Sequence, residues 1–302
     1  MGWAAYHLAE NVREALEALA AAQGEGRIIA GGTDLVIQLR RAGRGAAILV
    51  DITRIPGLNR IEKQGNLLVM GALVTHAQAA ASPIVRQHIT AVAEACAHVG
   101  SPQIRNVGTL VGNIVSAQPG ADAALALHAF DTQVRVAGRA GVRTMALPDL
   151  YEGLGLCCID SCRELITHLI VPLPQEECGS AFERLSQRRT LTLPVVNTAV
   201  SIALSENTKK IQKARVVVGP VSSTPFRASE AEEILQGSEP TMEAFGRAAR
   251  AAAEESRPRA SLLRGGKEYR QNMVEVMVRR ALMRATERGK GICQDKGNSF
   301  SR

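Results

Sequence analysis

Two glycine-rich segments hold the residue types with the most chemistry in this chain. In the first, Ile28-Ile29-Ala30-Gly31-Gly32-Thr33-Asp34-Leu35, a short strand opens into two glycines, a hydroxyl and a carboxylate. Glycines there let backbone N–H groups approach an anion, and Thr33 adds a hydroxyl donor. The second runs Gly108-Thr109-Leu110-Val111-Gly112-Asn113 and continues through Ser116-Ala117-Gln118-Pro119-Gly120-Ala121-Asp122. Each alone also reads as a tight turn; as a pair they could close on the two phosphates of one dinucleotide. Neither matches G-x-G-x-x-G or G-x-x-x-x-G-K-[ST], so a Rossmann or P-loop site is not supported and a non-Rossmann dinucleotide fold remains. The six histidines (His7, His76, His88, His98, His128, His168) never fall at metal-ligand spacing, and Ser116 and Ser186 lack a G-x-S-x-G frame.

The elements that must position these loops follow from periodicity. Asn11 and Glu14 form a capping-box pattern ahead of Val12, Ala15, Leu16 and Leu19, which predicts a helix over residues 11 to 22. Short strands are expected at 27–30, 47–51 and 66–70. Val85, Ile89, Val92, Cys96 and Val99 form one apolar stripe, which predicts a single helix from Pro83 to the Gly100-Ser101-Pro102 stop. An apolar helix over 122–130, a strand over 132–137, strands over 195–204 and 214–218, and helices over 228–236 and 273–284 complete an α+β pattern. The break at Pro172, Pro174, Glu176, Glu177 and Gly179 is the best domain boundary.

Composition narrows the class. The 302 residues are 46% hydrophobic and 22% charged, with a net charge of +7, as in a globular chain of two or three domains. Aromatic residues make up only 3%, too few stacking platforms for single-stranded nucleic acid. Much of the basic excess lies in a C-terminal stretch containing Arg264, Lys267, Arg270, Arg279, Arg280, Arg284, Arg288 and Lys290, which reads either as a surface for an acidic partner, membrane or nucleic acid, or as a solvated helix. No apolar run is long enough for a membrane span and no secretory signal is readable, so a cytoplasmic location is expected, with Cys96, Cys157, Cys158, Cys162, Cys178 and Cys293 reduced.

Taken in order, Ile29 to Leu35, Gln103-Ile104-Arg105-Asn106 with Gly108 to Asn113, Pro119 to Asp122, Glu164 to Pro172, Arg188-Arg189 with Leu193 to Asn197, and Glu268-Tyr269-Arg270 resemble the FAD-binding medium subunit of molybdenum hydroxylases, the xanthine dehydrogenase and carbon monoxide dehydrogenase type. The resemblance covers nearly the whole chain. It implies a two-part FAD-binding domain of the vanillyl-alcohol-oxidase (PCMH) type over 1–175, with subdomains of about 1–55 and 56–175. An α+β C-terminal domain of the CO dehydrogenase flavoprotein type, with a three-stranded sheet, would follow over 178–288, and a basic tail over 289–302. It assigns the FAD pyrophosphate to Ile28, Ile29, Ala30, Gly31, Gly32, Thr33, Asp34 and Leu35 and to Thr109, Val111, Gly112 and Asn113. Asp122 would bind the adenosine end or another cofactor hydroxyl, and Val99 and Ile166 would border the flavin. No residue would be catalytic and no metal would be held. A molybdenum-cofactor large subunit would hydroxylate the substrate, and a small subunit with [2Fe–2S] clusters would relay electrons. The FAD would pass them to an acceptor such as NAD, within paired heterotrimers that need neither nucleic acid nor membrane.

Three departures from the family pattern bear on the site. Val111 stands where the family has glycine, and Arg184 stands near where relatives carry a lysine. Cys157, Cys158, Cys162 and Cys178 depart from ferredoxin spacing and read as ordinary thiols ahead of an extra cluster. The first two motivate an alternative, a family-derived scaffold that has lost flavin.

Overall fold

A computed structural model describes residues 3–42, 45–173, 177–188, 191–205, 207–261 and 264–297. Pro174, Glu176, Arg189, the side chain of Cys293 and the end of the basic tail lie outside them. Strands β1 (Trp3–Leu8), β2 (Gly26–Ile29) and β3 (Ala46–Asp51) form a parallel sheet in the order β1-β3-β2, with helices α1 (Val12–Ala21) and α2 (Leu35–Ala42) as the crossovers. Asn11 caps α1, its Oδ1 accepting from Glu14 N at 2.9 Å, and Glu14 returns the bond to Glu10 N at 2.8 Å, one residue upstream of the expected partner.

A second sheet is antiparallel, in the order β4-β5-β10-β6-β7, built from β4 (Ile61–Gln64), β5 (Leu67–Gly71), β6 (Gln133–Gly138), β7 (Gly141–Ala146) and β10 (Glu164–Pro172). A small hairpin, β8 (Tyr151–Gly153) and β9 (Leu156–Cys157), lies between β7 and β10 in sequence. Six short helices join β5 to β6: α3 (His76–Ala81), α4 (Pro83–His88), α5 (Thr90–His98), α6 (Pro102–Val107), α7 (Leu110–Val115) and α8 (Asp122–His128). The single helix expected from Pro83 to Gly100 is therefore two. Buried Ile89 leaves the helical region at φ −134 and ψ 54, and Thr90 turns its hydroxyl back to Arg86 O at 2.7 Å. Such back-bonding satisfies the hydroxyl locally and bends or ends a helix.

The remaining sheet holds three long strands, β11 (Glu177–Leu185), β12 (Val196–Leu204) and β13 (Ile211–Gly219), plus a two-residue β14 (Phe226–Arg227). Helices α9 (Ser229–Leu235), α10 (Met242–Glu255) and α11 (Lys267–Gly297) follow. Residues 196 to 202 of β12 are buried without alternation, which requires cover on both faces. The register shows how. Phe182, Ala199 and Val217 are cross-strand neighbours and join the core of the first part, whereas their sequence neighbours Ala181, Val200 and Val216 form the next row and join the core shared with α10 and α11. Period-2 alternation thus survives, but both sides are apolar.

Charges seal the same junction. Glu94 on α5 accepts from Arg284 and Arg288 of α11, both at 2.6 Å, and Asp131 accepts from Lys213 at 2.7 Å and Arg215 at 2.9 Å. Arg284 and Arg288, expected in a basic outward surface, are instead spent inside the chain. Although burial opposes it, the facing arginines hold Glu94 below the usual carboxylate range, and Lys213 and Arg215 hold Asp131 at about 2. Their contributions are present above the ordinary carboxylate pKa and are lost as pH falls through the folded values. Glu94→Gln is expected to cost about 1–2 kcal/mol after allowance for partial exposure, read as a lower urea midpoint with unchanged slope.

Candidate functional site

The first glycine loop leaves β2 and enters α2 through Gly32, whose φ of 66 suits glycine. A Cβ at Gly31 would lie 1.9 Å from Val107 O and 3.1 Å from Gly108 Cα, so the two loops meet backbone to backbone. Thr33 turns its hydroxyl toward Gly108, 3.5 Å from where a Cβ would stand. The second loop is fixed from behind. His76 N donates to Gly108 O at 3.1 Å, Leu110 N donates to Val74 O at 3.0 Å, and Thr109 caps α7 by accepting from Gly112 N at 2.9 Å. That cap lets this glycine-rich segment hold a helical turn, α7. Val111, the departure from glycine, is buried in the core of the first part of the chain.

Among the described residues, no acceptor meets the N–H groups of Gly31, Gly32, Thr33 and Asp34. Beside them opens a cleft of about 970 Å³ between the first part of the chain and the C-terminal sheet. Asp34, Val99, Asn113, Asp122 and Arg184 line it; Gly31, Gly32, Thr33, Thr109 and Gly112 form the adjoining loop pair. Ile28, Ile29, Ala30, Leu35 and Val111 flank that pair without lining the cleft, and Ile166 lies fully buried on β10, paired with Val136. The C-terminal wall was only partly legible from sequence. It includes Pro194, Pro220, Ser222, Arg257, Arg264 and Arg270; Pro194 stands in the Leu193 to Asn197 motif, Arg264 in the basic stretch and Arg270 in both that stretch and the Glu268-Tyr269-Arg270 motif, whereas Pro220 and Ser222 carried no signal.

One buried ionic cluster joins the two walls. Arg184 Nε donates to both Asp122 oxygens at 3.2 Å, and Asn197 Nδ2 donates to Asp122 Oδ1 at 2.7 Å. Arg184 also donates to Ser186 Oγ at 2.8 Å and to Thr192 O. Both charged side chains are under a tenth exposed. Burial pushes the Asp122 carboxyl up, against the pull of Arg184 and Asn197. Asn113 completes the frame, its Oδ1 accepting from Ala124 N at 3.1 Å at the start of α8.

Behind the loops, burial lowers His76 to about 4, helped by Arg105, and lowers His128 to about 4 against its bond with Ala124 O. Both imidazoles are neutral in the fold. Their stabilising effect is complete above the ordinary histidine pKa and declines as pH falls toward 4, by up to about 3 kcal/mol each. Urea midpoints measured between pH 7 and pH 4 should fall accordingly; a flat profile would show that the folded chain protonates both rings freely.

The geometry suits a dinucleotide with a flavin. The N–H groups of residues 31–34 are free to donate to an anion, the cleft falls in the range of about 300–1,000 Å³ usual for cofactors, and its far wall is arginine-rich. Among the described residues, no group of three or more His, Cys, Asp or Glu gathers as for a metal ion.

Comparison with known proteins agrees over the full length. The family "FAD binding domain in molybdopterin dehydrogenase" matches residues 2–174, and the family "CO dehydrogenase flavoprotein C-terminal domain" matches residues 181–285. The chain is 33% identical to the 6-hydroxypseudooxynicotine dehydrogenase complex subunit alpha of Paenarthrobacter nicotinovorans, over 94% of this chain and 95% of that one. It is 26% identical to a putative xanthine dehydrogenase FAD-binding subunit of Escherichia coli, over 97% and 99%. A solved carbon monoxide dehydrogenase from Hydrogenophaga pseudoflava, in a form lacking the Mo-pyranopterin moiety of the molybdenum cofactor, superposes with a TM-score of 0.87 at 30% identity, covering 94% of this chain and 97% of that one. Paired glycine loops, a cleft sized for a dinucleotide and end-to-end similarity lead to one conclusion: the chain belongs to the FAD-binding medium subunits of the molybdenum hydroxylases, oxidoreductase components of the xanthine dehydrogenase and CO dehydrogenase family.

Proposed function

We propose that this chain is the electron-transfer flavoprotein of a molybdopterin-dependent hydroxylase or dehydrogenase, with FAD in the cleft described above. Bound FAD supplies redox chemistry that links single-electron donors to a two-electron acceptor. The protein's own residues bind and orient it. Backbone N–H groups at residues 31–34 would hold the pyrophosphate together with the Thr33 hydroxyl and residues 109–113, and Val99 would give the ring system an apolar neighbour. Asp122 and Arg184 hold the two walls at a fixed separation, and the arginines beyond them balance the cofactor's negative charge. No side chain has to move a proton for this role.

In this reading a small subunit with [2Fe–2S] clusters donates electrons, a molybdenum-cofactor large subunit oxidises the organic substrate, and NAD is the acceptor, in paired heterotrimers. The relative named as a complex subunit supports a multisubunit setting. The boundary between residues 175 and 178 belongs to the same reading, with the cleft straddling it. The carrying observation is the contact of Gly31 with Val107 and Gly108, which turns two loops distant in sequence into one cradle.

The test is an absorbance spectrum of the purified chain, native and after acid extraction, with an iron assay on the same sample. Stoichiometric FAD without iron is the expected result. A colourless chain that cannot be reconstituted but still assembles would replace this reading by the flavin-free scaffold, and NAD would be dismissed as acceptor if it failed to reoxidise the reduced complex.

A further inference from the structure

Arg270 is 2% exposed, yet no carboxylate among the described residues pairs with it. Its guanidinium donates only to backbone carbonyls: Nε to Val195 O at 3.2 Å, Nη1 to Arg259 O at 2.7 Å, and Nη2 to Pro220 O. These three acceptors lie on separate segments, before β12, after β13 and on the strap that joins α10 to α11, and all three segments line the cleft. Arg257 on the same strap donates its N–H to Val221 O at 3.1 Å, which ties the strap to the segment after β13.

A planar fork with donors on several edges can bind three carbonyls in fixed directions at once, which a lysine ammonium on a flexible stem cannot. Carbonyl dipoles solvate the ion without cancelling its charge, so Arg270 leaves a net positive charge at the cleft wall. Burial and the neighbouring Arg264 pull its pKa below the usual arginine value, yet an arginine remains protonated in proteins.

We propose that Arg270 is the positioning residue of the cleft's C-terminal wall, fixing residues 194–195, 220 and 257–259 against one another and directing an uncompensated positive charge at the bound cofactor. The charge part rests on FAD occupying this cleft; the positioning part does not. Arg270 acts through the wall it holds, by way of its three carbonyl partners.

The test compares Arg270→Lys and Arg270→Met in the full chain by three readouts: amide hydrogen exchange of the 257–261 strap, FAD retention, and the flavin midpoint potential. With Arg270→Lys, strap exchange should accelerate and FAD dissociation constants rise, each on the order of tenfold, while the potential stays near that of the parent because the charge is kept. With Arg270→Met the same losses should appear and the potential should fall, because a positive charge favours the reduced, more negative cofactor. Unchanged strap exchange in Arg270→Lys would overturn the positioning role. Equal potentials in Arg270→Met and the parent would overturn the charge role. If the parent chain holds no FAD, the reading of the cleft fails and the charge role with it, while strap exchange still decides the positioning role. Should Arg270→Met not fold, Arg270→Gln takes its place, and Arg270→Lys alone decides the positioning role.

Discussion

Gly31→Ala is expected to release FAD from a chain that otherwise folds. The added methyl would lie 1.9 Å from Val107 O and 2.6 Å from Val107 C, and both obstacles are backbone, so no rotamer change relieves them. The loops must separate, and the N–H groups of residues 31–34 then no longer share a cradle with residues 109–113. A separation costing about 3 kcal/mol would weaken FAD by about a hundredfold. Gly246→Ala on α10 is the control, because its methyl would meet nothing within 4 Å. Flavin content and the FAD dissociation constant should separate the two variants, with circular dichroism nearly unchanged in both. Equal flavin content would mean that the contact at Gly31 does not shape the phosphate site.

That contact marks the limit of what sequence could supply. Both glycine loops were legible as tight turns able to meet an anion, and only their pairing and the family resemblance turned them into one cofactor site. The residue on which Gly31 packs was not, since a backbone-to-backbone approach leaves no trace in side-chain types at Val107. Strand rows were legible only in part. The alternation in β12 was hidden because both its faces are apolar, one against the first part of the chain and one against α11. Helix α7 was hidden inside a glycine-rich run, although Thr109 three residues before Gly112 was its cap. Charge was the least legible property. Arg284 and Arg288 looked like an outward basic face, and only the position of Glu94 shows that they point inward.

Asp122→Ala is expected to destabilise the chain by about 3–5 kcal/mol, because Arg184 would remain 5% exposed without its counter-charge. Ser186 and Thr192 offer neutral acceptors only, which cannot replace a carboxylate that takes Nε on both oxygens. The double variant Asp122→Leu with Arg184→Met should recover most of that loss, since removing both charges leaves neither ion stranded in the interior. Asn197 then keeps its weaker bond to Gly120 O at 3.3 Å and holds the wall. Stability and flavin content should part company in the double variant. If the pair serves only to join the walls, FAD returns with stability; if Arg184 also faces the cofactor, the chain folds but binds FAD weakly. A double variant as unstable as Asp122→Ala would show that the cluster's worth lies in its shape and not in its charge balance.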